Sequence, residues 1–409
     1  MYQSLEAKKA ARLSFILSKK MGWNVNTAIL SLRAYNFFYF SLLSIFISFL
    51  PVYLTYRGVT PAQIGVLIGA GSFIGILSQP FWGMVSDRYK TLKRIILLTL
   101  GLSIAAGILL FTSTSLLVLF LLVGAMYFFL LPTDPLTESL NYRIAELHST
   151  SFGSIRTFGA VGYATASLFI GWTLDRLGMG QLVWLFVGYG VFAYACALVM
   201  KDAPASSKSL SWRELKQFIL YPKTQRFFLL VLIAATPHRT NDSFLGVYVQ
   251  SLGGTTGDVG QAWFLAAVSE VAFFAVSAKL LARWSELRLI MLASALYAIR
   301  YVLCAIAPSA EWVVYLQLTQ GITFVLFYTA TIQYLYKIIP EEWQATGQTV
   351  LAVLFFGISG IIGSLVGGWL FQQGGGAALY WAMGICSAAA FVYCLILARP
   401  GKAAGGLGL

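Results

Sequence analysis

Eight charges stand inside apolar stretches of this chain: the acids Asp134, Glu138, Asp242 and Glu270, and the bases Arg33, Arg156, Arg239 and Arg300. Two kinds of chemistry use such residues. A guanidinium facing a carboxylate presents a planar fork that holds a hydroxyl pair or a carboxylate of a bound solute. A carboxylate or imidazole in a partly dry site can take up and release a proton, and His238 stands one helical turn before Asp242. No nucleophile constellation, metal cluster or ATP-binding glycine-rich loop accompanies them, which argues against an enzyme, a metal or cofactor centre and a primary pump.

The spacing sharpens this. Asp134 and Glu138 are four residues apart, so a helix puts both on one face. In PTDPLTESLNYRIAELHSTSFGSIRTFGAVGY, residues 132–163, Glu138 lies as far before Leu147 as Arg156 lies after it. Two antiparallel helices turning there bring the pair to one depth, roughly 13 Å from the turn at about 1.5 Å per residue. A charge that deep in hydrocarbon is costly unless it faces a partner or a polar cavity, so it is a functional hypothesis by default. A pair that only pins two helices together has the same spacing. Farther on, Glu270 and Arg300 are equidistant from Ser285, and Asp242 and Glu270 from Thr256, so three charges converge on one depth. A lone His238 would read as packing; beside Arg239 and Asp242 it joins a buried network whose equal acids and bases keep it near neutrality.

These residues require membrane helices to position them. The 409 residues are 58% hydrophobic and 11% charged, with a mean hydropathy of +0.77, which excludes an ordinary soluble protein of this length. Apolar runs of about 20 residues give twelve expected spans, beginning near Thr27, Thr60, Leu92, Ser115, Phe152, Gln181, Gln225, Asp258, Arg288, Glu311, Gln344 and Ala377. Their length makes them helices, not barrel strands. The net charge of +13 does not point to nucleic acid. Arg57 and Arg176 fall in outer loops and four arginines in spans, and the remaining basic residues mark the inner side. Both termini are therefore expected in the cytoplasm, in a multi-pass protein of the cell membrane. Arg33 is near the inner end of its span and can snorkel. Cys196, Cys304, Cys386 and Cys394 sit inside spans without metal-ligand or disulfide spacing, as small packing residues.

Between the second and third spans runs GMVSDRYKTLKR, residues 83–94. An acid, Asp87, beside Arg88, Lys93 and Arg94 can form a breakable charge network at helix ends, although a plain basic inner loop would look similar. Glycine-rich runs ending in Gly-Trp recur in the fifth and eleventh spans, suggesting a six-span repeat. Gly65, Gly69, Gly71 and Gly75 in the second span allow close helix packing. Residues 201–223 break the apolar pattern with serines and an amphipathic SWRELKQFIL. The expected domains are a cytoplasmic N-terminal extension, 1–25; a six-helix bundle, 26–200; a linker, 201–223; a second six-helix bundle, 224–399; and a tail, 400–409. The extension has no signal-peptide pattern.

FFYFSLLSIFISFLPVYL in the first span, QPFWGMVSDR at the end of the second and FGSIRTFGAVGY in the fifth resemble the lactose-permease branch of the major facilitator superfamily. Gly83, Asp87, Arg88 and Arg94 match that superfamily's signature loop, its gating motif. The resemblance runs from about Phe37 to Arg399. It implies that Glu138 and Arg156 bind the sugar, that Tyr163 stacks on its ring where such permeases have a tryptophan, and that Glu270 and Arg300 match the acid of the eighth span and the arginine of the ninth. It departs at the tenth span, where Gln320 and Thr323 replace a histidine and a glutamate, and at Phe273, which stands for a polar sugar ligand. Nucleoside and phenylpropionate permeases are also similar, and a more aromatic cavity suits their solutes.

The expected protein is an all-α membrane transporter of twelve helices in two pseudo-symmetric six-helix bundles, a monomer in the lipid bilayer. It would use alternating access, with no cofactor and no nucleic-acid partner. Glu138, Arg156, Tyr163, Glu270, Asn36 and Gln320 are expected to contact a small-molecule substrate. With Gln320 and Thr323 unable to titrate, the coupled proton falls to Asp242 with His238 and Arg300, then to Glu270 or Asp134. An efflux antiporter of drugs or sugars on the same fold and a non-transporting solute receptor remain the alternatives.

Overall fold

The computed structural model describes residues 25–203, 221–340 and 344–398. The expected surface segment before residue 25, the amphipathic linker helix and the C-terminal tail lie outside the described residues. Every regular element among those described is helical. The first span is α1, Val25–Ser44, carried through a π-helical turn, Ile45–Phe49, into α2, Leu50–Tyr56. There follow α3 Pro61–Tyr89, α4 Lys93–Thr112, α5 Leu116–Leu147, α6 Phe152–Leu177 and α7 Leu182–Val199. The second half contains α8 Pro222–Ser251, α9 Thr256–Arg283 and α10 Glu286–Ala305. Then come α11 Ala310–Leu316, α12 Leu326–Ile338, α13 Gln344–Ala352 and α14 Ser359–Ala398. Further π-helical turns at Gly321–Val325 and Val353–Ile358 lead into α12 and α14.

Among the described residues nine helical stretches are long and apolar enough to cross a membrane. The glycine- and threonine-rich α6 and the charge-bearing α8 are not among them; both are more polar for their length. The last of the nine, Gly347–Ala398, breaks at Gly375, whose φ of 74° is open to glycine and strained for other residues.

The chain divides into two compact units, Met1–Phe46 with Ile74–Lys208, and Ile47–Phe73 with Ser209–Leu409. In the first, α1 packs along α6 and α7, and α4 along α5 and α7. The α1–α6 crossing depends on Gly162, because a Cβ there would overlap the Phe37 carbonyl, and Ser41 Oγ donates to the Gly162 carbonyl at 3.0 Å. Lipid gives no hydrophobic drive to helix association, so such small-residue contacts and hydrogen bonds carry it. In the second unit, α14 packs on α8 and α10.

The segment read as a loop after the second span is mostly helix. Gly83, Asp87 and Arg88 occupy the last turns of α3, Arg94 opens α4, and the connection is short, with Lys90 at φ 51°. What anchors it is Asp202. Its carboxylate accepts from Thr91 Oγ1 at 2.5 Å and from the backbone N–H groups of Leu92 at 3.1 Å and Lys93 at 2.9 Å. A carboxylate on the free amides of a helix N-terminus is favourable through both hydrogen bonding and the helix dipole. Asp202→Ala should therefore lower the melting temperature of the purified protein by about 2 °C. An unchanged melting curve would show that the cap contributes nothing to folding.

Candidate functional site

Two prolines, Pro132 and Pro135, interrupt the hydrogen bonding of α5 where Asp134 and Glu138 sit, and α6 returns with Arg156 and Tyr163. The turn between them is at His148 to Ser151. Glu138 and Arg156 form an ion pair through Oε1 and Nε, with about a third of each side chain exposed. The guanidinium lies 3.9 Å from the centroid of the Phe40 ring on α1, an arrangement that favours a cation over an aromatic face. Asp134 Oδ1 and Glu138 Oε2 are buried acceptors with no hydrogen-bond partner among the described residues. The site thus presents a fixed guanidinium, an aromatic face and unused carboxylate oxygens. Tyr163 is partly buried on α6, two turns beyond Arg156.

Asn36 behaves differently from the expectation of a substrate contact. Its amide and that of Asn141 exchange two hydrogen bonds of 2.8 Å, and its Nδ2 also donates to the Leu32 carbonyl. Both side chains are fully buried, so Asn36 ties α1 to α5. Tyr35 does the same with Thr137 at 2.9 Å. Arg33 donates to Ser154 Oγ at 3.2 Å, near the α6 start.

The second unit holds the other cluster. On α8, Arg239 Nη1 donates to Asp242 Oδ2 at 2.5 Å, and His238 Nε2 lies 3.7 Å from the same oxygen. His238 stacks on Phe324 at 4.7 Å between centroids, and its Nδ1 meets Tyr297 Oη at 3.2 Å and Gln320 Nε2 at 3.4 Å. Phe356 supplies a face to Arg239 at 5.6 Å. The π-helical turns Gly321–Val325 and Val353–Ile358 contribute these rings; such turns re-aim side chains within a helix and concentrate at functional sites.

Arg300, 2% exposed, joins the cluster through neutral groups. It donates to the side-chain carbonyls of Gln317 and Gln320 and to Thr323 Oγ1 at 3.3 Å. Among the described residues it makes no ion pair; the expected convergence on one depth with Asp242 brings it near that acid but not into direct contact with it. Equal depth does not specify helix face. The chain Asp242, His238, Gln320, Arg300 connects Arg300 to Asp242 instead. Gln317 was missed; its three-residue spacing from Gln320 in LQLTQ, polar on one face of an apolar span, was the available signal.

The gating-motif residues sit in the first unit. Asp87 lines a pocket of about 170 Å³ with Gln79, Gly83, Ser86 and Ser139. It forms no ion pair among the described residues; the acid that engages the loop is Asp202.

The two charged, aromatic-lined clusters thus lie one in each unit, on helices of an all-helical fold that is rich in membrane-length apolar stretches. Residues 29–382 match the model of the MFS_1 like family, and the chain belongs to it. It is 27% identical over 379 residues to the maltose permease of Geobacillus stearothermophilus, covering 90% of this chain and 95% of that protein. It is 25% identical over 359 residues to the probable 3-phenylpropionic acid transporter of Escherichia coli, covering 85% and 92%. The crystal structure of the nucleoside transporter NupG superimposes with a TM-score of 0.80, at 16% identity, over 92% of this chain and all of that one. That likeness is one of fold.

Proposed function

We propose that the protein is a secondary transporter that moves a sugar, a nucleoside or an aromatic acid across the cell membrane by alternating access and proton symport. The observation that carries this reading is the Glu138–Arg156 pair, an intramembrane ion pair left partly open and backed by Phe40. The pair offers a solute a guanidinium about a third exposed, with an aromatic face beside it. The three solute classes are those named for the maltose permease, the phenylpropionic acid transporter and NupG. Adding α6 and α8 to the nine apolar stretches, and counting the break at Gly375 as two spans, gives twelve. These fall into six-helix halves at 26–200 and 224–399, with both termini cytoplasmic, in a protein acting as a monomer. Glu138, Arg156 and Tyr163 are the solute-contacting residues of the first half, and Glu270 and Gln320 the candidates in the second. Asp242, beside His238, carries the proton; Glu270 is the next carboxylate in line, and Asp134 the one after.

The test is uptake by proteoliposomes under an imposed inward proton gradient, with maltose, uridine and 3-phenylpropionate as probes. Accumulation of one of them that collapses with an uncoupler is expected. No uptake of any above empty vesicles would count against the reading.

The motif at the end of α3 acts on conformational exchange, not on the solute. Asp87→Asn should slow uptake severalfold, with at most a small population-shift effect on affinity. Loss of binding with normal cycling would place this residue in the solute site instead.

A further inference from the structure

In both units a proline opens a helix just before the charged cluster, and a donor from another helix covers the carbonyl that the proline leaves free. Proline has no N–H to give to the carbonyl four residues earlier. Pro132 therefore frees the Phe128 carbonyl, and Trp82 Nε1 donates to it at 3.0 Å. Pro237 frees the Ile233 carbonyl, and the Cys386 thiol donates to it at 3.3 Å. Asp134 and Glu138 follow the first proline directly, and His238 and Asp242 follow the second. In hydrocarbon an open carbonyl must find a donor from a neighbouring helix, so these contacts are the ones that make the broken turns tolerable. Trp82 is held for this task. Its ring is buried and packs against Phe81 and Phe128 at centroid distances of 5.3 and 5.9 Å.

We propose that Trp82 is a positioning residue for the Glu138–Arg156 site: its indole N–H fixes the turn opened by Pro132, and so the direction in which α5 carries Asp134 and Glu138. Cys386 plays the same part for His238 and Asp242. Trp82 immediately precedes Gly83, so one hydrogen bond ties the gating-motif end of α3 to the turn of α5 that presents the solute-binding acid. This rests on the reading of Glu138 and Arg156 as the solute site, but its test needs no solute.

Trp82→Phe keeps an aromatic ring and removes the donor. Pro132→Ala restores an N–H at residue 132, so the Phe128 carbonyl regains an intrahelical bond and no longer depends on residue 82. The full chain is followed in detergent by hydrogen exchange of the amides from Thr133 to Asn141, and by the rate at which a hydrophobic carbodiimide labels Asp134 and Glu138. Trp82→Phe is expected to accelerate both about fivefold, the effect of losing one buried hydrogen bond. In the Pro132→Ala background the same substitution should change them less than about twofold. Equal effects in the two backgrounds, or no effect with Pro132 present, would overturn the proposal. Should Trp82→Phe fail to fold, the second unit supplies the same comparison. Cys386→Ala should accelerate exchange from His238 to Asp242, and Cys386→Ser, which keeps a donor, should not; identical behaviour of the two would overturn the assignment. Solute binding retained in Glu138→Gln would sink the solute-site reading while leaving this coupling intact, so the two failures are separable.

Discussion

Arg156→Lys and Glu138→Gln should each abolish solute binding in a protein that still folds. Lysine keeps the positive charge but loses the planar fork and most of the stacking on Phe40. Glutamine keeps the shape of the acid but leaves the guanidinium without a counter-charge. Altering one partner of a hydrogen-bonded charge pair in a binding site costs about 2–5 kcal/mol of affinity. Both side chains are about a third exposed, and water screening favours the lower end. Even that end is a loss of about thirtyfold. The same exposure leaves folding nearly untouched, so melting temperatures should stay close to the parent. Calorimetric titration with whichever probe the uptake assay identifies gives the answer. Unchanged affinity in both variants would reduce the pair to a pin between α5 and α6.

Asp242→Asn should permit equilibrium exchange of solute yet prevent its accumulation. The carboxylate lies between the Arg239 guanidinium at 2.5 Å and the His238 ring at 3.7 Å, on a helix whose neighbouring span offers Gln320 and Thr323, neither of which can titrate. Asparagine matches the size of the acid but cannot carry a proton, so the solute path survives and the coupling does not. A pH gradient of one unit can support about tenfold accumulation in one-to-one symport, at about 1.36 kcal/mol per unit. The variant should reach a ratio of about one while exchanging labelled for unlabelled solute. A variant that still accumulates solute would remove Asp242 from the mechanism and leave Glu270 as the coupling acid.

The helical membrane architecture was legible because long apolar runs have few alternatives in a bilayer. The Glu138–Arg156 contact was legible in part: opposite deep charges on consecutive antiparallel helices do meet. The turn, however, falls at His148 to Ser151, past Leu147, so Arg156 lies four residues into its helix and Glu138 nine from the end of its own, and the equal-depth arithmetic held only roughly. At Arg300 equal depth with Glu270 said nothing of helix face: the arginine donates to Gln317, Gln320 and Thr323. Asn36, expected to contact substrate, instead pairs with Asn141, 105 residues away, a pairing that no local pattern encodes. Asp202 was hidden for another reason. It looks like the start of a polar linker, and only the fold brings it to the first amides of α4. The roles of Trp82 and Cys386 were likewise invisible, although Pro132 and Pro237 each announce a carbonyl that needs a donor.

The central claim is that Glu138 and Arg156 hold the transported solute, and counterflow in proteoliposomes tests it most directly. Vesicles loaded with unlabelled solute should draw in labelled solute through the parent protein and not through Arg156→Lys reconstituted at equal density. Counterflow through Arg156→Lys at the parental rate and concentration dependence would contradict the account.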